Sequence, residues 1–180
     1  RLDRHGNLVV PFEQHAQITT LQFIDADGEK KLLSRKKGGV FKGSHHRIPG
    51  DKAAVCYAEG YATGATIHEA TGAEVIVVGA KDNFGPVLEN TAHRYAESQL
   101  ILAADNDASG DGLRAAQKAA IRFNAQVAMP GTVGQDFNDL FVEEGKDAVV
   151  AALAAAWKPD PEEVASTNRF TRSTVHPKDL

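Results

Sequence analysis

The chain has 180 residues, of which 42% are hydrophobic and 24% charged, as expected for one globular domain with a short appendage. This composition excludes a disordered tail, a fibre and a coiled coil, and no apolar run approaches the ~18 residues of a membrane-spanning helix. The single cysteine, Cys56, excludes a disulfide framework and a zinc site built on several thiolates, and it favours a reducing, cytoplasmic setting. The net charge of −4 excludes a uniformly basic nucleic-acid coat protein, although it is compatible with a local basic patch.

Residues 1–50 are predicted to form a small antiparallel β subdomain. Short runs at residues 8–12 and 20–24 have the composition of strands, and residues 25–28 have the Asp and Gly chemistry of a turn. The chain is expected to return as a third strand over residues 29–34. Residues 38–43 are predicted to form a further strand or a loop.

This first region also carries a basic arm, which we define as residues 30–47. It contains seven Lys or Arg residues and no Asp or Glu. One interpretation is a solvated hairpin whose lysines maintain solubility. The other is a surface for phosphates, because a basic, glycine-rich stretch allows the backbone to approach an anion closely.

The pattern changes near residue 51, where continuous apolar runs begin to alternate with helical segments. Such runs are typical of strands buried on both faces, and they occur at residues 53–58, 74–78, 100–104 and 125–129. Helices are predicted between them and after them, at residues 62–70, 86–97, 110–123, 136–142 and 146–157. This rhythm predicts a parallel sheet flanked by helices over residues 51–157. Residues 158–180 are predicted to be a linker or tail.

Acidic residues follow several of these predicted strands. Glu59 follows the first strand, Asp105 and Asp107 follow the third, and Asp136 comes soon after the fourth. Because the carboxyl ends of parallel strands share one edge of the sheet, these carboxylates are expected to lie close together. A hard divalent cation would relieve their repulsion, which points to phosphoryl-transfer chemistry. The alternative is that each acid caps the helix that follows it.

Two of these segments resemble a known family. The sequence Ala-Glu-Gly-Tyr-Ala-Thr at residues 58–63 resembles the glutamate motif of the TOPRIM domain, and Ala-Asp-Asn-Asp-Ala-Ser-Gly at residues 104–110 is similar to its Asp-x-Asp-x-x-Gly motif. Residues 21–30, 42–43 and 136–140 resemble, more narrowly, the primase domains of plasmid and phage proteins. The resemblance implies an α/β, TOPRIM-like (Rossmann-like) fold.

The resemblance also implies roles for individual residues. Glu59 would be the acid/base or metal-organising carboxylate, Asp105 and Asp107 would bind Mg²⁺ or Mn²⁺, and Asp136 is a further candidate ligand. The basic arm would hold template or nucleotide phosphates, with four candidate residues: Lys36, Lys37, Lys42 and Arg47. The loop at residues 80–85 is shorter than the resemblance leads us to expect, so no role is assigned to Asp82.

The function expected from this resemblance is that of a DNA primase core. It would be a metal-dependent nucleotidyltransferase that makes short RNA primers on single-stranded DNA from nucleoside triphosphates, in plasmid or phage replication and conjugative transfer. A helicase or a zinc-binding module is expected elsewhere in a longer protein, and no membrane partner is expected. Two alternatives stay open: a metal-dependent nuclease of the same fold, and a non-enzymatic module that binds nucleic acid.

Overall fold

A computed structural model describes residues 1–33 and 39–166, which form two β-sheets and five α-helices of regular length. The strands are β1 (Leu8–Gln14), β2 (Gln17–Ile24), β3 (Lys30–Leu32), β4 (His46–Ile48), β5 (Asp51–Ala58), β6 (Ala73–Val77), β7 (Gln99–Ala103) and β8 (Gln126–Ala128). The helices are α1 (Tyr61–Thr71), α2 (Phe84–Thr91), α3 (Asp111–Phe123), α4 (Phe137–Glu144) and α5 (Lys146–Ala154). Among the described residues, no helix has the length and apolar character needed to cross a bilayer.

The larger sheet has the strand order β4-β6-β5-β7-β8. Strands β5 to β8 are parallel, and β4 pairs with β6 in the antiparallel direction. The parallel sheet flanked by helices that the sequence predicts is thereby confirmed. β4 lies in the basic arm, within the predicted subdomain at residues 1–50, yet its backbone pairs with β6 of the larger sheet.

Apolar side chains pack on both faces of this sheet, which explains the unbroken hydrophobic run of β5. One face packs against α2 and α3, with Val55 and Tyr57 of β5 in that cluster. The opposite face packs against α1, α4 and α5, with Cys56 and Ala58 in the second cluster. Successive side chains of β5 therefore pack alternately into two cores, as in sheets covered by helices on both sides.

Two predicted helices are shorter in the structure. The helix predicted at residues 86–97 is α2 followed by a 3-10 turn over Ala92–Tyr95, and the buried Tyr95 hydroxyl donates a hydrogen bond to Glu74. The helix predicted at residues 146–157 ends at Ala154. Beyond it, Trp157 makes a pair of backbone hydrogen bonds with Val127, of 2.8 and 2.9 Å, which extended chain can make and a continuing helix cannot.

The small sheet, β1-β2-β3, packs against the carboxyl end of β6. Phe12 and Phe41 lie with ring centroids 5.7 Å apart, and a Cβ at Gly79 would come within 2.8 Å of both rings. Gly79 also has a φ of +82°, so both its conformation and its surroundings require glycine. The buried Asn83 side chain donates to the carbonyls of Val78 and Ser44, which ties the end of β6 to the loop before β4.

Candidate active site

The site lies at the carboxyl end of the parallel sheet, as the sequence predicts. Ala58 of β5 and Ala103 of β7 are paired in register, so Glu59 and Asp105 leave neighbouring strands almost side by side. The loop containing Asp105 is fastened to the loop after β8, because the Asn106 backbone N–H bonds the Gln135 carbonyl at 3.0 Å. That bond brings Asp136 to the same edge.

Asp105 has the most strongly raised pKa of the four acidic candidates. Its pKa is raised to about 7, first by burial and then by repulsion from the carboxylates of Glu59, Asp136 and Asp107, while the ammonium of Lys30 opposes the shift. Its Oδ1 is shielded from solvent and has no hydrogen-bond partner among the described residues. Such an oxygen has lost its water without a replacement, which is unfavourable unless a ligand completes the site.

Glu59 experiences the same field from the neighbouring strand. Burial raises its pKa, Lys30 and Lys81 lower it, and Asp107 raises it further. The backbone N–H of Gly79 donates to the Glu59 carbonyl at 2.8 Å. Glu59 is therefore joined to the loop after β6, and two cations and two acids act on its carboxylate.

Asp107 is held in a different way. Its Oδ2 accepts the backbone N–H of Gly112 at 2.9 Å, and its Oδ1 accepts the Ser109 hydroxyl. These bonds lower the pKa of Asp107 to about 2, the Ser109 bond being the largest cause. A Cβ at Gly112 would lie 2.9 Å from the same Oδ2. Asp107 therefore anchors the start of α3 as a charged carboxylate.

Asp136 is the N-cap of α4, as the alternative interpretation of these acids expects. Its Oδ1 accepts the backbone N–H groups of Asn138 at 2.7 Å and Asp139 at 2.9 Å, and its Oδ2 accepts the Thr63 hydroxyl at 3.0 Å. Its negative charge still raises the pKa of Asp105. Capping and proximity to Asp105 are therefore combined in one residue, and its role as a metal ligand stays a prediction.

The donor set fits a hard divalent cation. Within residues 1–33 and 39–166, no three Asp, Glu, His or Cys side chains already stand in ligand geometry. The fit rests on Asp105, whose unpartnered, shielded oxygen lies in the field of Glu59, Asp107 and Asp136. Carboxylate oxygens are the ligands that Mg²⁺ and Mn²⁺ prefer, and an added cation would neutralise this repulsion.

The four basic candidates lie in different surroundings, and two of them are outside the described residues. Lys36 and Lys37 lie outside the described residues. Lys42 is exposed on the loop before β4, and its carbonyl accepts the side-chain amide of Gln14. The guanidinium of Arg47 forms an ion pair with Glu74, with Nε and Oε1 3.1 Å apart. Glu74 lies near the start of β6, at the opposite end of the sheet from the site.

Two lysines that sequence reasoning did not select lie at the site. Lys30 belongs to the basic arm, and its Nζ lies 3.4 Å from where a Cβ of Gly60 would be. Lys81 belongs to the loop to which no role was assigned, and its Nζ bonds Asp111 at 3.1 Å. The basic arm signalled Lys30 only as one of seven cations, and no pattern in the sequence pointed to Lys81.

These features identify the class of protein. A family model of the Toprim domain matches residues 54–147, more than half of the 180-residue chain. The chain therefore belongs to the Toprim-domain family, and the resemblance drawn from its motifs is confirmed. The match includes all four acidic candidates.

Among characterised proteins, the chain is similar to the DNA primase TraC of Escherichia coli. The two are 29% identical over 58% of this chain and 8% of TraC, so this chain corresponds to less than a tenth of that protein.

Solved primase structures share the fold. The RNA polymerase domain of Mycobacterium tuberculosis primase DnaG in complex with double-stranded DNA matches with a TM-score of 0.65 and 19% identity, over 99% of this chain and 69% of that one. The primase fragment of the bacteriophage T7 primase-helicase matches with a TM-score of 0.60 and 16% identity, over 80% of this chain and 61% of that one. The zinc-binding and RNA polymerase domains of Aquifex aeolicus primase match with a TM-score of 0.64 and 11% identity, over 96% and 48%. At these identities the likeness is one of fold.

Proposed function

We propose that this chain is the catalytic core of a DNA primase. It would join ribonucleotides into short RNA primers on a single-stranded DNA template. The observation that carries the proposal is the shielded, unpartnered oxygen of Asp105 beside Glu59, on a Toprim sheet whose relatives include primases. A divalent cation at this point would hold the triphosphate of an incoming nucleotide and stabilise charge on the attacking and leaving oxygens.

The chain's own residues would divide the work. Asp105 and Glu59 would hold the cation. Asp107 would fix the loop before α3, and its negative charge would add to the attraction for the cation. Glu59 can alternatively exchange a proton with the attacking 3′-hydroxyl, because its raised pKa brings it closer to neutrality than an exposed glutamate. Lys30 and Lys81 both lower the pKa of Glu59 and would bind phosphate oxygens that reach the site.

The basic arm would bind the template or the nucleotide, through Lys36, Lys37 and Lys42. Arg47 is the least suited of the four candidates, because a phosphate would have to compete with the buried carboxylate of Glu74 for its guanidinium. We further propose that the protein acts in plasmid or phage replication or conjugative transfer, as its similarity to TraC favours. Neighbouring domains, a helicase or a zinc-binding module, would complete it, as the names of the T7 and Aquifex relatives favour.

Primer synthesis on a single-stranded template, with labelled ribonucleotides and Mg²⁺ or Mn²⁺, tests this function. We expect Asp105→Asn to reduce synthesis at least ~100-fold, since it removes a charge that acts on the transferring phosphoryl group. Glu69→Gln is the matched control, because Glu69 is an exposed acid on α1 outside the site. Full activity in Asp105→Asn would overturn the assignment.

The same protein incubated without nucleotides distinguishes a primase from a nuclease. Labelled single-stranded and double-stranded DNA should stay intact in the presence of Mn²⁺. Cleavage that depends on Asp105 would identify a Toprim nuclease in place of a primase. Binding of Mn²⁺, followed as a rise in melting temperature that Asp105→Asn abolishes, tests the metal site even where catalysis requires neighbouring domains.

A further inference from the structure

A groove runs along the outer face of α3, away from the carboxylates. It consists of two adjoining cavities of about 780 and 290 Å³. Both cavities are lined by Lys81, Asp82, Ala115 and Lys118, so they form one continuous depression. This α3 groove is bounded on one side by residues 161–165 and on the other by the start of α2.

Three cations of α3 line the groove at regular spacing: Arg114, Lys118 and Arg122. Residues four apart on an α-helix lie on one face, about 6 Å apart along the axis, so the three span about 12 Å. Lys81 adds a fourth cation at the end nearest the active site. The groove is thus lined by four cations and two acids, Asp82 and Asp111, and this excess of positive charge suits a ligand with repeated negative charges.

The ion pairs in the groove are of a kind that a ligand can replace. Asp111 is shared by Lys81 and Arg114, and Glu89 pairs with Arg122. All of these side chains are between 31% and 63% exposed, and pairs exposed to that degree contribute little to stability. Lys118 is exposed and forms no ion pair with any residue that the structure describes.

The other wall of the groove is apolar. It is formed by Ile121 of α3 and by Pro161, Val164 and Ala165. A cationic row beside an apolar wall can contact both parts of a single nucleic-acid strand, its phosphates and the faces of its bases. An acidic peptide would also suit the cations, but the position of the groove favours a nucleic acid.

That position is set by Lys81. The backbone N–H of Gly79, two residues before Lys81, donates to the Glu59 carbonyl at 2.8 Å, while the Lys81 side chain lines the groove and bonds Asp111. One short loop therefore connects the active-site edge to the groove. A polymer whose phosphates react at Glu59 and Asp105 would meet this groove on leaving the site.

We propose that the α3 groove binds the sugar-phosphate backbone of the single nucleic-acid strand that extends from the active site. Lys118, Arg122 and Arg114 contact its phosphates. The inference rests on the proposed primase function for the identity of the strand, which is either the DNA template or the RNA product.

Binding of fluorescein-labelled 20-nucleotide single-stranded DNA and RNA, measured by anisotropy across a salt series in EDTA, tests the groove. We expect Lys118→Ala/Arg122→Ala to weaken binding at least fivefold. The slope of log affinity against log salt should also fall by about 1.4, because each phosphate contact on a single strand contributes about 0.7. A larger loss for DNA assigns the template to the groove, and a larger loss for RNA assigns the product.

Lys52→Ala/Lys146→Ala is the matched control, since it removes two exposed lysines outside the groove and changes the net charge equally. We expect its affinity to stay within twofold of the parent. Equal losses in the two double variants, an unchanged slope, or displacement of the strand by an equal concentration of poly-glutamate would overturn the proposal. Because EDTA removes the metal, this readout is independent of Asp105, so the groove and the primase assignment can fail separately.

Discussion

The two ends of the parallel sheet each hold a shielded carboxylate with one unpartnered oxygen, and the two differ in how their charge is balanced. At the amino end, Glu74 is 1% exposed, and its Oε1 accepts both the Arg47 guanidinium and the Tyr95 hydroxyl, while its Oε2 has no hydrogen-bond partner among the described residues. At the carboxyl end, Oδ1 of Asp105 has no hydrogen-bond partner among the described residues, and three other acids act on it.

This difference separates a structural carboxylate from a functional one. Arg47 places an opposite charge in direct contact with Glu74, while burial and this neighbouring carboxylate raise the pKa of Tyr95 so that its hydroxyl stays a donor. Asp105 has Lys30 as an opposing cation, and that is insufficient to prevent its pKa from rising to about 7. A carboxylate whose pKa is raised this far by burial and by neighbouring acids is suited to bind a cation, and perturbed groups of this kind concentrate at functional sites.

The largest expected contrast is in catalysis. Glu59→Gln should reduce primer synthesis at least ~100-fold, whereas Glu74→Gln should leave it within about threefold per folded molecule. Both changes remove one carboxylate charge from the same sheet. Synthesis rates normalised to folded protein by circular dichroism check this, and equal losses would remove the distinction between the two ends.

The second effect is on stability at the amino end. Arg47→Met should lower the free energy of unfolding by about 2 kcal/mol, because Glu74 would stay buried without its cation. The expected loss is below the value for a fully buried pair, since the Arg47 side chain is 41% exposed. Urea unfolding measures it. Adding Glu74→Gln to Arg47→Met should recover part of the loss, and a fully additive loss would show that the ion pair is unimportant.

The third effect is the pH dependence of stability at the carboxyl end. The pKa of Asp105 is about 7 in the folded protein and near 3.8 without the fold, so the folded state holds more protons between these values and its stability falls as pH rises from about 4 to 7. The Asn side chain of the Asp105→Asn variant cannot ionise, so this variant should be more stable than the parent by about 1–2 kcal/mol at pH 8. That range lies below the full pKa shift, because solvent reaches part of the site.

Urea unfolding at pH 4 and pH 8, in EDTA, checks this dependence. The advantage of Asp105→Asn should become small near pH 4, because Asp105 is neutral there in the folded protein and the folded state no longer bears the cost of its charge. An advantage of the same size at both pH values would show that it does not come from the charge. Adding Mg²⁺ at pH 8 should stabilise the parent and have little effect on the variant.

The smallest effect is expected at Lys30. Its ammonium lowers the pKa of both Glu59 and Asp105, so Lys30→Ala should raise both pKa values slightly. We expect a rise of about threefold in the nucleotide KM and a shift of the pH–rate profile to higher pH. Lys31→Ala is the control, because Lys31 is the next exposed residue of β3 and successive side chains of a strand point to opposite faces. An equal KM change in the two variants would point to general charge loss.

The fold could largely be predicted from the sequence, because continuous apolar runs such as those of β5 to β8 are buried only in a sheet that helices cover on both faces. The end of α5 at Ala154 could not be predicted from the sequence, since the backbone pairing of Trp157 with Val127 joins segments that are distant in sequence. The membership of β4 in the larger sheet was unreadable for the same reason. His46–Ile48 is a short stretch whose partner, β6, comes later in the chain.

The acids of the site were readable because strand ends share an edge, which is a property of any parallel sheet. The lysines were not, since Lys30 reaches Glu59 across the contact between the two sheets and Lys81 through a loop without a recognisable pattern. The ion pair of Arg47 could not be predicted either, because its partner Glu74 lies in a segment whose sequence is typical of a buried strand.

The sequence by itself therefore determined the Toprim sheet and which carboxylates stand at its edge, since both follow from local periodicity and strand order. The tertiary structure alone decided how each charge is balanced. Glu74 received a cation and a hydroxyl from two separate segments, Asp107 and Asp136 became helix anchors, and Asp105 was placed in the field of three other acids. Charge balance depends on distances of a few ångströms between residues far apart in the chain, and only folding sets those distances.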